Sequence, residues 1–165
     1  MNGLTYDYSG RQVDLEFLQT MQNPYEGRVG LGKTISAGVS RRVTGVQKAV
    51  QRYVALLLTT ADSVPFPPDA ENVLYGELKA GRVSNEGYLR HLFNMANAAT
   101  LDTLRRDDYN TDKFGNQADD ERIAEVVLKG MTVDYETSTL SLSLEIRTEA
   151  GSEYAYTVPV STRQE

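Results

Sequence analysis

A chain of 165 residues is long enough for one domain with a real core. Without a cysteine it cannot be a disulfide framework, hold a thiolate metal site or use a cysteine nucleophile. Its net charge of −6 and the lack of aromatics among its basic residues disfavour nucleic acid as a partner. No apolar run approaches the length of a membrane span, so no membrane partner is expected. The first residues show no basic stretch before an apolar one, so the expectation is a soluble protein that does not use signal-peptide export.

Residues 1–44 read as an extended N-terminal arm. The first twelve are polar and contain Gly and Tyr. Val13, Phe17 and Leu18 stand at helical spacing, yet Val13, Leu15 and Phe17 also alternate as in a strand, and so short a run fits either. Asn23-Pro24 ends it. From residue 24 to 44, Gly27, Gly30, Gly32 and Gly38 lie among β-branched residues, which predicts an extended, irregular segment with little ability to fold alone.

Residues 45–165 read as an α+β domain. Val46, Ala49, Val50, Tyr53, Val54 and Leu57 recur on one face of a helix. Thr44 is its expected cap, through a hydroxyl that accepts a first-turn N–H. Leu56 and Leu58 widen the apolar arc and predict a last turn buried nearly all round. Three prolines in the four residues 65–68 then stop the helix. Residues 72–78 are short and ambiguous. A second helix runs from Glu86 to about Arg106, with Leu89, Leu92, Phe93, Ala96, Ala99, Thr100 and Leu104 on its apolar face and Ser84 or Asn85 as its cap. Residues 118–125 suggest one short helix.

The C-terminal part is the clearest β signal. Leu140, Leu142, Leu144 and Ile146 alternate with polar residues, which gives one buried and one wet face. Gly151 suits the turn at 149–152. Tyr154, Tyr156, Val158 and Val160 alternate in the last strand. An earlier strand carries Val127, Met131, Val133 and Tyr135, and Gly130 within it suggests a bulge. Pro159 lacks a ladder donor and favours an edge position for the last strand. The expected architecture is two main helices packed on a small three-stranded antiparallel sheet, with the arm extended.

Gly27 to Thr34 is a literal match to the phosphate-binding loop G-x-x-x-x-G-K-[ST] and offers one functional alternative, a nucleotide-binding enzyme. Its context argues otherwise. Asn23 to Glu26 is no buried strand, and Thr34 onward carries glycine and β-branched residues where a helix should start. His91, the sole histidine, reads as structural or on the surface. Asp119, Asp120 and Glu121 read as helix-dipole and solvent partners rather than a glycosidase pair. No catalytic residue, cofactor site or metal site stands out. From Gly27 to Ala61 there are Arg28, Lys33, Arg41, Arg42, Lys48 and Arg52 but no acid. These bases either solvate an outer face or form a patch for an acidic partner, as a small cytoplasmic regulator would use.

The run from Gly45 to Tyr53, the Leu56-Leu57-Leu58-Thr59 exit and the turn from Ser63 to Asp69 resemble the baseplate wedge proteins of contractile-tailed phages. These are the sheath-initiator family, some members of which carry the label lysozyme. The similarity covers roughly residues 43–160. Two departures stand out: Ala61-Asp62-Ser63 replaces a Gly-Glu or Gly-Ser, and Asp120-Glu121-Arg122 lacks the proline of a Glu-Pro-Arg junction. The resemblance implies a structural, non-enzymatic virion protein of the tail baseplate, made in the host cytoplasm. Its partners would be other wedge proteins, hub or tube proteins and the tail sheath, in six-fold arrangement. It further implies that the C-terminal sheet initiates sheath assembly by strand addition. On this chain that points to Tyr154, Tyr156, Thr157, Val158 and Val160 of the last strand, with Arg41 and Arg42 as further contact residues.

Overall fold

The computed structural model describes residues 14–15, 18–22, 29–33, 42–58, 73–112, 117–134 and 136–161, with backbone alone for 14–42 and 111–112. The proline-rich turn expected at 63–69, Tyr135 and the first twelve residues lie outside them.

Two layers form the domain, one of helices and one of sheet. Helix α1 spans Gly45–Leu57, α2 Val73–Lys79 and α3 Glu86–Asp112. The C-terminal strands are β5 (Ile123–Asp134), β6 (Thr139–Thr148) and β7 (Glu153–Ser161), and they pair antiparallel in chain order, as expected. Leu140, Leu142, Leu144 and Ile146 of β6 face inward with Tyr156, Val158 and Val160 of β7. Ala49, Val50, Tyr53, Val54 and Leu57 of α1 meet them in one core with Leu92, Phe93 and Ala96 of α3. Each fully buried Leu, Val or Phe there contributes about 1.5–3 kcal/mol of transfer free energy. The outer face is wet, and Arg147–Glu125 (2.8 Å) and Lys129–Glu145 (2.9 Å) lace β5 to β6 across it.

The arm's described residues are extended. Asp14–Leu15 (β1) pairs with Arg42–Val43 (β4). Leu18–Gln22 (β2) forms an antiparallel pair with Val29–Lys33 (β3), so the described residues of the run left open between helix and strand are strand, with Val13 and Phe17 outside them. β3 in turn lies parallel to β7, through Val29↔Tyr156 and Gly30↔Thr157. Among the described residues the sheet is five-stranded, in the order β2-β3-β7-β6-β5.

At Tyr156 and Thr157 the last strand is therefore not the open edge that Pro159 suggested. The arm pairs its own backbone groups against β7, and this pairing stops at Thr157, two residues before the proline. Among the described residues the outermost strands are β2 and β5.

Several local expectations change. Thr44 has the extended backbone of a cap but makes no side-chain cap bond. Leu56 and Leu58 are only half-buried, and Ala99 is exposed. Residues 73–79 are a helix that buries Leu74 and Leu78 one turn apart. It ends in a Schellman turn, with Arg82 N–H on Glu77 O and Gly81 N–H on Leu78 O. Asn85 caps α3 by accepting from Tyr88 N–H at 2.8 Å. The helix expected near 118–125 is a single 3-10 turn, Asp119–Glu121, because Ile123 already begins β5. The bulge expected at Gly130 is present as a register shift between Leu128 and Gly130. Val127 faces outward opposite Glu145 and is 36% exposed, since Val126 and Leu128 are the inward residues of that half. Gly151 takes φ +81 in its turn, as expected.

Candidate functional site

Two residues of the Gly45–Tyr53 run, Gly45 and Lys48, converge on one carboxylate. Gly45 enters α1 at φ +64, a conformation that glycine takes without strain. Its N–H donates to Glu121 Oε1 at 2.9 Å, doing the work expected of the Thr44 hydroxyl. One turn on, Lys48 Nζ donates to Glu121 Oε2 at 2.9 Å. Gln117 Nε2 donates to the Glu121 backbone oxygen at 3.2 Å. The Lys48 and Glu121 side chains are 8% and 1% exposed.

Glu121 is thus a buried structural group and not the solvent partner expected of it. Both its oxygens are engaged, and its side chain is closed off from solvent. Asp119 beside it is exposed, and its carbonyl accepts from Ala150 N–H, tying this turn to the β6–β7 hairpin. Sequence reading missed this pairing because spacing along the chain gives no sign that residues 45, 48 and 121 meet.

A second polar chain joins the layers. Tyr53 Oη donates to Asn97 Oδ1 at 2.8 Å, and Asn97 Nδ2 donates to Val126 O at 3.0 Å. Burial pushes the Tyr53 phenol far above its ordinary value. Tyr156 is pushed up to about 12, by burial first and then by the neighbouring Tyr154.

The interaction residues expected on β7 divide. Tyr156, Val158 and Val160 are buried in the core, so a partner would meet this strand through its backbone. That backbone is paired with β3 at Tyr156 and Thr157. Thr157 is half-buried, and Tyr154 is half-buried with its ring 6.4 Å from that of Tyr156. Arg41 lies outside the described residues, and Arg42 is described only as backbone in β4. Of the other bases in that stretch, Lys48 serves Glu121 and Arg52 binds Asp108 at 2.9 Å, so neither forms a free basic patch.

Within the phosphate-loop match, Val29–Lys33 is a strand paired on β2, with Gly30 opposite Met21 and Gly32 opposite Gln19. Amides committed to a ladder do not converge on one phosphate. Gly27, Arg28 and Thr34 lie outside the described residues. His91 is exposed on α3. Among the described residues no group of three or more His, Cys, Asp or Glu side chains could hold a metal ion. No helix among them is long and apolar enough to cross a membrane.

No protein-family model matches the chain, and neither a curated protein nor a solved structure matches it.

Proposed function

We propose that this chain is a structural subunit of a contractile phage tail baseplate, a wedge protein that helps to initiate the sheath by strand addition. The sequence resemblance motivates the reading, and one observation carries it. The C-terminal sheet already accepts a strand from a distant part of the chain, by backbone pairing of β3 on β7. An edge that takes one extended segment presents the donors and acceptors that another can use. In assembly, a neighbour's strand would occupy the β7 edge and the arm would be released to reach a further subunit. The Lys48–Glu121 pair serves this role as an anchor that locks α1 to the start of the sheet, so that the edge is presented on a rigid body.

The test is reconstitution. The purified chain, mixed with wedge, tube and sheath proteins of one contractile tail, is expected to yield sheath-bearing baseplates in electron micrographs, and their yield should collapse when it is left out. Equal yields with and without the chain, or cell-wall or nucleotide hydrolysis by the pure protein that one point substitution abolishes, would overturn the reading.

A further inference from the structure

The other edge of the sheet shows a different feature. The first half of β5 is not an open edge. Asn97 donates to Val126 O at 3.0 Å and Arg105 to Ala124 O at 3.3 Å, so α3 side chains satisfy its outward carbonyls. From Leu128 to Asp134 no such side chain reaches the strand among the described residues. Alternate residues there point N–H and C=O groups away from β6.

The bulge between Leu128 and Gly130 marks the boundary. A strand alternates faces, so without the bulge Gly130 and Thr132 would follow Leu128 on the inner face. With it, Met131 and Val133 take that face, opposite Leu142 and Leu140. Yet α3 begins at Glu86 and leaves them incompletely covered. Val133 is 45% exposed beside a buried Leu140. Between this end of β5 and the first turn of α3 lies a groove of about 490 Å³; among the described residues Val83, Leu89, Met131 and Val133 give its apolar lining, and Ser84, Asn85, Glu86 and Thr132 its polar rim.

Lys129 is matched by Glu145, and Arg82 by Glu77. Asp134 and Glu136, at the open end of the strand, have no cationic partner among the described residues. Hydrogen bonds from Thr137 and Glu136 hold the Asp134 carboxyl below its usual range, so it stays ionised.

We infer that the Leu128–Asp134 half of β5 is a docking site for an extended segment of a partner protein. The segment adds as a sixth strand, sets an aliphatic side chain into the groove between Met131, Val133 and Leu89, and brings a basic residue to Asp134 and Glu136. A small molecule would use the groove but leave the ladder groups unpaired, and a continuous strand satisfies both. The site lies at the opposite side of the sheet from β7 and does not depend on the baseplate reading.

The test is selection of displayed random heptapeptides on the full chain, followed by synthesis of the consensus and titration by fluorescence anisotropy. The expected consensus has aliphatic residues at alternate positions and a Lys or Arg near one end. Bound peptide should slow hydrogen exchange at Leu128–Asp134. Val133→Asp, at an exposed position, should weaken binding at least about ten-fold, as an unpaired charge placed among apolar side chains does. Val127→Asp, on the half that α3 already caps, should leave binding unchanged. Glu136→Gln should weaken the basic peptide by about two- to three-fold, as for an exposed ion pair. Circular dichroism of each variant checks the fold. Failure to select any alternating consensus would overturn the inference. So would protection located elsewhere, equal binding by Val133→Asp, or a concentration-dependent dimer that protects the same strand without peptide, which would make a second copy the occupant.

Discussion

Glu121 shows what a single residue can hold together. Its two oxygens serve the first N–H of α1 and the Lys48 ammonium, both in a site closed to water. Removing one partner of a buried pair leaves the other charge uncompensated, so Glu121→Ala is expected to cost about 3–5 kcal/mol. Adding Lys48→Met should return part of that loss, because the stranded ammonium is then gone. Chemical denaturation of the single and double variants measures both. Tyr53 gives a pH signature. Its folded value is raised above the unfolded value near 10, so the folded state holds its proton more tightly. That stability is fully present below pH 10 and is lost as pH rises beyond it. Melting temperature should therefore fall more steeply above pH 10 in the wild type than in Tyr53→Phe. At neutral pH the variant should lose about 0.5–1.5 kcal/mol, for one hydrogen bond to Asn97. None of these partnerships could be read from the chain. Asp119, Asp120 and Glu121 look alike in sequence, and only the path of the fold sends one inward.

At the scale of elements, periodicity was a sound guide wherever an element is regular and half-buried. The α1 stripe from Ala49 to Leu57 and the β6 alternation from Leu140 to Ile146 are buried as their spacing predicts. Leu57, the last residue of α1, is 0% exposed in the core. Leu57→Asp would put an unpaired charge there, a change worth several kcal/mol against a typical stability of about 5–15. Insoluble expression or loss of the cooperative melt is the expected outcome, and an unchanged melting curve would place the core elsewhere. Periodicity misled where an element is irregular. Reading β5 as one alternation grouped Val127 with Met131 and Val133, but the bulge at Leu128–Gly130 changes the face between them. Helix α2 was obscure because its seven residues hold only two buried leucines, Leu74 and Leu78. The α3 cap was legible because Asn85 acts within its own turn, whereas the α1 cap comes from residue 121.

Across the whole molecule, the arm and the sheet are one system. The α+β architecture was legible because its strong helices and strands are segregated along the chain. The docking of β3 was not, because Val29–Lys33 carries two glycines and pairs through backbone, which leaves little side-chain pattern to read. Its consequence is that the β7 edge is covered by the chain's own arm, at Tyr156 and Thr157. A proline at Thr157 would disturb a strand flanked on both sides, so it is a poor probe of assembly. A removable crosslink is more direct. The chain has no cysteine, and Gly30 and Thr157 are paired across neighbouring strands, about 4.8 Å apart in the usual spacing and within reach of a disulfide. The decisive measurement is sheath-ring formation by the Gly30→Cys/Thr157→Cys double variant, oxidised and then reduced. If strand addition at β7 initiates the sheath, the oxidised subunit should fold normally and fail to seed rings, and reduction should restore them. Equal seeding by the oxidised and reduced forms would contradict assembly through this edge.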